Sequence, residues 1–257
     1  MSPFGADRRF VGKRYHGFSR HAQPHFAAAA RPAPMLTLSL AALLSWVWLL
    51  ALRGGFHRAD AVTPDAPAPA AWPAVAAAIP ARDEEAHIGA TVGALVASAY
   101  PGPLAVAVAD DGSTDATAAR ARAAGEGAAR PVSVVAAPAP PAGWSGKLSA
   151  LDAAVAEALR LAPDARWLLL TDAEIVQGPD LLGRLVACAE AEDRALVSVM
   201  ARLDDRGFWG GLLIPAFVFF FQKLYPFAWV ADPERRTAAA AGGCVLIRRD
   251  ALEAIGG

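Results

Sequence analysis

The sequence predicts an α/β fold, a mostly parallel sheet with helices on both faces, joined to an N-terminal transmembrane helix. Three observations predict it. Apolar strand runs alternate with helical patterns through the first half, the arrangement of parallel crossover units. Some runs are apolar without a break, as strands buried on both faces are. Asp110, Asp111, Asp172 and Glu174 fall at strand carboxyl ends, where ligands sit in such sheets.

The elements follow in chain order. Residues 1–34 form a basic leader with Arg8, Arg9, Lys13, Arg14, Arg20 and Arg31. It is expected to be a disordered or spurious extension, and its His16, His21 and His25 read as tail residues, not ligands. Residues 35–52, MLTLSLAALLSWVWLLAL, carry no charge and reach the lower end of the length that spans a bilayer. Trp46 and Trp48 sit near one end, where indoles favour the interface. A signal-peptide core or a buried helix shares this pattern. A signal core is usually shorter, although Ala59-Asp60-Ala61 could mimic a cleavage site. A retained anchor is the reading adopted. With the leader, the positive-inside rule places the main domain outside the cytosol. From a start at Met35 only Arg53 and Arg58 flank the span, and the domain faces the cytosol.

Residues 53–73 form a linker, semi-rigid where Pro64, Pro67, Pro69 and Pro73 stand among alanines. The domain runs over 74–257. Val75–Ile79 reads as a strand ended by Pro80. A helix follows on Ile88, Val92, Leu95, Val96 and Ala99, with Asp83, Glu84 and Glu85 at its start, where the macrodipole favours acids. Tyr100-Pro-Gly-Pro breaks it. Leu104–Ala109 is the second strand. Ser113 or Thr114 can cap a helix running to about Ala124. Val132–Ala136 is the third strand, and Leu148, Leu151, Val155, Ala158 and Leu159 mark the next helix. RWLLLTDAEI is the fourth strand. GPDLLGRLVACAEA is a helix with Pro179 near its start. Ala195–Met200 is the fifth strand.

Composition narrows the function. The net charge of −1 leaves no electrostatic footprint for nucleic acid. The positive mean hydropathy agrees with a membrane segment. Cys188 and Cys244 lie far apart, make no metal-ligand spacing, and read as small buried hydrophobes.

Three stretches carry chemistry. In Asp110-Asp111-Gly-Ser-Thr-Asp115 a carboxylate can accept from a base N–H or from ribose hydroxyls, and Gly112 lets the backbone come close to a ligand. The same residues could equally form a solvated turn. In Thr171-Asp-Ala-Glu-Ile175 two carboxylates at alternate positions can share Mg²⁺ or Mn²⁺, which would also hold a diphosphate. In Gly143-Trp-Ser-Gly-Lys-Leu-Ser-Ala-Leu151, Lys147 opens a helix whose N-terminus favours anions. The Walker spacing is absent, and a plain solvated lysine is the alternative.

Taken together and in order, AIPARDEEAHI, VADDGSTDAT, WSGKLSALDAAV, LLLTDAEI and AAAAGGCVLIRRDALEAIGG resemble the family 2 glycosyltransferases. These are nucleotide-sugar-dependent enzymes of GT-A fold. The resemblance covers residues 74–257. ALRGGFHRAD, WSGKLSAL and FWGGLLIPAFVFFFQKLYPFAWV look, more narrowly, like the hopene-associated glycosyltransferases of bacterial hopanoid clusters. The resemblance implies an inverting transfer from a nucleotide sugar, UDP-linked first of all, to a lipid or hopanoid acceptor at the bacterial inner membrane. It implies that Pro80, Ala81, Asp83, Asp110, Asp111, Lys147 and Asp172 bind the nucleotide, with Asp111 reading the base. Asp172 and Glu174 would bind a divalent cation, Mg²⁺ or Mn²⁺, and Gly242 and Gly243 would shape the acceptor side. Glu174 stands where the family usually has Asp, which lengthens the side chain by one methylene. The family's general base would come after Gly257, so the chain is expected to be C-terminally truncated. Asp250 and Glu253 are not assigned that role.

Residues 211–231, with Pro215, Pro226 and Gln222-Lys223, fit an interfacial or re-entrant segment that brings a lipid acceptor to the site. A buried core helix is the alternative. The rival functions are a catalytically incomplete nucleotide-sugar-binding remnant and a nucleotidyltransferase. The glycine-rich loop of a nucleotidyltransferase is missing from IPARDEE.

Overall fold

A computed structural model describes residues 33–58 and 65–256. Residues 1–32, which hold the leader's basic residues and histidines, the stretch 59–64 and residue 257 lie outside the described residues. The chain divides into two units between Trp46 and Val47, inside helix α1 (Ala33–Leu52). Up to Trp46, α1 is exposed and apolar, and Ser45 Oγ donates back to Ala41 O at 2.8 Å. Such back-bonding satisfies a hydroxyl within its own helix. Pro34–Leu52 is long and apolar enough to cross a membrane.

From Val47 onward the core is a six-stranded sheet of order β3-β2-β1-β4-β6-β5. The strands are β1 (Val75–Ala81), β2 (Leu104–Asp110), β3 (Val132–Ala136), β4 (Trp167–Thr171), β5 (Leu196–Ser198) and β6 (Cys244–Arg248). β1 to β4 are parallel, and β6 runs antiparallel between β4 and β5. The fifth strand is shorter than Ala195–Met200, and the antiparallel insertion of CVLIR was not among the sequence expectations.

β1 does not stop before Pro80. Val75 N donates to Pro103 O and Asp111 N donates to Ala81 O, so the odd positions of β1 bond to β2. Pro80 is in the even phase that faces β4, and that pairing already ends at Ala78 with Leu170. The missing N–H costs no ladder bond there, so the strand continues through the proline.

The two faces of β1 and β2 differ in size. Val75, Ile79, Leu104, Val106 and Val108 pack with Ile88, Val92 and Leu95 of α2 (Ile88–Val96), and with Leu182, Leu185 and Val186 of α5 (Leu181–Ala191). Each such buried aliphatic contributes about 1.5–3 kcal/mol. The opposite face shows Ala76, Ala78, Ala107 and Ala109, which meet Ala150, Ala154 and Ala158 of α4 (Gly146–Leu161). Small residues on both sides let the helix lie close to the sheet. The sequence pattern led with Leu148, but Leu148 is exposed and the buried stripe is made of alanines with Ser149.

Two helix starts also differ from expectation. Asp83, Glu84 and Glu85 precede α2 rather than filling its first turn. α3 (Thr117–Gly125) has Ala116 at its N-cap, so neither Ser113 nor Thr114 caps it. Both departures have one cause: the loops after β1 and β2 bond to each other. Asp83 N donates to Ser113 Oγ, Thr114 N to Asp83 Oδ1 at 2.7 Å, Glu84 N to Thr117 Oγ1, and Ala116 N to Glu85 Oε2.

α6 (Gly207–Leu224) and α7 (Phe227–Val230) are not a buried core helix. Phe208, Trp209, Leu212, Leu213, Phe217 and Phe220 are each about half exposed or more, and only Gln222 is buried in α6. Gly207–Val230 is also long and apolar enough to cross a membrane. Its C-terminal end is held by Arg53, which donates to Lys223 O at 3.1 Å and Leu224 O at 3.2 Å and lies over the rings of Trp48 and Trp229. Gly54 follows in the left-handed region (φ 61°), and a Cβ there would strike Trp229.

Candidate active site

In this strand order the chain runs from β1 through β2 to β3 toward one edge of the sheet and then returns to the other side of β1 for β4, so the crevice between the carboxyl ends of β1 and β4 is a topological switch point. A cavity of about 370 Å³ opens there. Its walls come from four places in the sequence. Pro80, Ala81, Arg82 and Glu84 leave β1, Asp111 leaves β2, Asp172, Ala173 and Glu174 leave β4, and Gly146, Lys147 and Ala150 belong to the first turns of α4.

The adjacent aspartates divide their tasks. Asp110 turns back into its own loop, where Ser113 donates to it from both backbone and hydroxyl. That closes the turn. Asp111 faces the cavity, with Arg82 Nη1 3.5 Å from its Oδ2. Asp83 faces away: its carboxylate accepts from the amide and hydroxyl of Thr114. Asp83 and Asp110 are therefore beside the cavity rather than in its wall. Asp115 ties the two loops further, and the Thr117 hydroxyl, with the Thr117 and Glu85 amides, holds its carboxyl below the usual range.

Asp172 is anchored from behind. Its N donates to Gly243 O at 3.1 Å, and Thr171 Oγ1 donates to the same carbonyl. Gly243 therefore borders Asp172 from the entry to β6, while Gly242 and Gly243 are not part of the cavity wall. Thr91, fully buried on α2, donates to Ala173 O at 2.7 Å and steadies the loop that carries Glu174. A buried threonine on a helix gives no sequence signal of this role.

α4 approaches from the other side. Ser145 caps it by accepting from Leu148 N. Because the alanine faces bring the helix so near the sheet, Gly146 lies against Asp111, and a Cβ at 146 would sit far inside van der Waals contact of Asp111 Oδ2. Lys147 reaches across the cavity, its Nζ 2.7 Å from Asp172 Oδ1. Arg82 lies in the wall within the stretch 80–83 expected to line the nucleoside pocket, and Glu84 and Gly146 are wall residues that the motif reading left out. Only the folded contact with Asp111 distinguishes Gly146.

Asp172 and Glu174 offer hard oxygen donors at one wall. Among the described residues no cluster of three or more His, Cys, Asp and Glu side chains could hold a metal ion by itself. The chemistry fits a cation of Mg²⁺ type, which takes one or two carboxylates and completes its shell with water and substrate phosphates. Asp250 and Glu253 are elsewhere, on α8 (Arg249–Ala254), paired to Arg248 and Arg249.

Residues 73–257 match the family model described as glycosyltransferase like family 2. A mannosyltransferase from Pyrobaculum calidifontis, solved in complex with GDP-Man and Mn²⁺, superposes with a TM-score of 0.57 at 21% identity, covering 88% of this chain. This chain spans 57% of the length of that protein. Glucosyl-3-phosphoglycerate synthase from M. tuberculosis gives a TM-score of 0.41 at 20% identity over 69% of this chain and 58% of its own. TarS from S. aureus gives 0.48 at 16% identity over 70% and 48%. The first of these likenesses shows a shared GT-A fold. No curated protein sequence matches the chain significantly.

Proposed function

The chain belongs to the glycosyltransferase-like family 2, and from that premise we propose that it transfers a sugar from a nucleotide-diphosphate donor, UDP-linked first of all, to a lipid or hopanoid acceptor, with inversion at the anomeric carbon. The carrying observation is convergence. Asp111, Lys147, Asp172 and Glu174 come from two separate loops and the start of α4 and meet at one switch-point cavity.

Asp111 would accept hydrogen bonds from the nucleoside, as an ionised carboxylate only accepts. Pro80 and Ala81 would form the floor beneath it. The diphosphate would lie toward the start of α4, where the first-turn amides and Lys147 favour negative charge. Asp172 and Glu174 would hold Mg²⁺ or Mn²⁺, which when bound would stabilise the leaving diphosphate as a Lewis acid. Gly242 and Gly243, beside Asp172, would border the acceptor. Asp83 and Asp110 would act through the loops they hold, positioning Arg82 and Asp111.

The membrane half of the reading is supported by exposure. α1 would be the anchor, and the exposed apolar side chains of α6 would dip into the interface next to the domain, where a greasy acceptor resides. From a start at Met35, with Arg53 and Arg58 as the flanking positive charges, the domain would lie on the cytosolic side of the inner membrane.

The test is calorimetric titration of UDP into the detergent-solubilised full chain, with and without Mn²⁺, in the wild type and in Asp172→Asn. The wild type should bind UDP more tightly with Mn²⁺, and Asp172→Asn should lose that gain. A metal effect that survives in Asp172→Asn would overturn the assignment.

A further inference from the structure

We propose that Lys147 is a built-in stand-in for the divalent cation, releasing Asp172 to a metal only when a diphosphate draws its ammonium away. The inference rests on the donor-binding reading above and adds an order and a coupling to it.

The geometry sets one mobile and one fixed partner. Asp172 follows the last residue of β4 and its backbone N donates to Gly243 O, so its main chain is fixed and its carboxylate moves only about a short side chain. Lys147 is 66% exposed along its side chain, on a four-carbon stem, while its backbone is fixed by the capped start of α4. The ammonium can swing over the cavity without moving the helix. At 2.7 Å it contacts Oδ1, one of the two Asp172 oxygens that a metal could take, and sets its positive charge beside the other. Asp111 is matched in the same way by Arg82, so the cavity neutralises two of its own acids with its own cations.

A lone metal ion therefore meets two obstacles. It has to displace a contacting cation, and no three-ligand cluster among the described residues compensates it. A diphosphate removes both. Its oxygens complete the metal's shell, and its charge gives the Lys147 ammonium a stronger partner than one carboxylate. Lys147 changes partners from Asp172 to phosphate, and Asp172 becomes free. Metal and nucleotide then favour each other, and by linkage the factor is the same in both directions. Because the pair is partly exposed, its hold on Asp172 corresponds to about a two- to five-fold factor.

The experiment uses the full chain in detergent, with free Mn²⁺ followed by electron paramagnetic resonance, alone and with saturating UDP. Lys147→Ala should bind Mn²⁺ alone about two- to five-fold more tightly than the wild type, and should bind UDP more weakly. The UDP–Mn²⁺ coupling should fall by the same factor. Lys147→Arg, which keeps the charge, should restore most of the wild-type pattern, and Lys147→Gln should repeat the alanine result. A lysine with a structural role would weaken both ligands together, and one that only binds phosphate would weaken UDP and leave Mn²⁺ alone unchanged. Either result overturns the proposal. If the wild type binds UDP with Mn²⁺ but the opposite-sign pattern is missing, this proposal fails and the donor reading stands. If the wild type binds neither, both fail.

Discussion

Gly146→Ala should disable the nucleotide side of the cavity and leave the fold standing. Gly146 is the first residue of α4, in ordinary helical backbone, so alanine can adopt its conformation. The obstacle is the added methyl. It would press on Asp111 Oδ2, with Cγ at 3.3 Å and Oδ1 at 3.4 Å, and relief needs a movement of the carboxylate of about 1 Å, judged from ordinary C···O contact distances. The Asp111 backbone cannot supply it, because its N donates to Ala81 O at 2.8 Å at the end of the sheet. The side chain must rotate instead, away from where it would meet a nucleoside. Hydrogen bonds to a charged group are worth about 1.5–3 kcal/mol, so UDP should bind about 10- to 150-fold more weakly. Stability should change little, since the gain of up to about 1 kcal/mol in helix propensity offsets part of the contact. Calorimetry with UDP reads the first effect and a thermal melt reads the second. Undiminished UDP affinity with an unchanged melting temperature would refute the placement of the nucleoside on Asp111. A drop in melting temperature of more than about 10 °C, equivalent to several kcal/mol for a domain of this size, would show that α4 moves instead of Asp111.

Two further outcomes are expected. Arg53→Ala removes two hydrogen bonds to the last carbonyls of α6 and a cation stacked on Trp229, so trypsin should cut after Lys223 about five-fold faster or more, as local opening grows by about 1 kcal/mol or more; an unchanged cleavage rate would show that Arg53 does not hold the helix. Burial pushes the Cys244 thiol up to about 11 and raises that of Cys188 as well, so at pH 8 only about a thousandth of Cys244 is thiolate, and both cysteines should react with a thiol reagent only after unfolding; prompt reaction of the folded chain would contradict the packing around β6 and α5.

Much of the fold is local and could be read from the chain. The alternation of β1, α2, β2, α3, β3, α4 and β4 follows from apolar period, because a strand or helix writes its own repeat into consecutive residues. The carboxylates at 110–111 and 172–174 were legible for the same reason, since a strand end marks where a ligand can sit. The order β4-β6-β5 was not legible. CVLIR is a plain apolar run, and its partner in β4 is more than 70 residues away, so nothing nearby says which edge it joins or in which direction. The acids at 83–85 looked like a helix start because that is what acids before an apolar period usually are. In the fold they answer to the β2 loop instead.

The residue types and their places along the strands were thus determined by the sequence alone: an apolar anchor candidate, a mostly parallel α/β sheet, and acids at its carboxyl edge. The division of labour among those acids was decided only by the tertiary structure. It turned Asp110 into a turn-former and aimed Asp111 inward, set Gly146 against Asp111, and laid Lys147 on Asp172. The reason is physical. Side-chain chemistry and period are properties of neighbouring residues, whereas a contact between loops depends on how closely α4 can approach β1 and β2, which the opposing alanine faces settle only once both are folded.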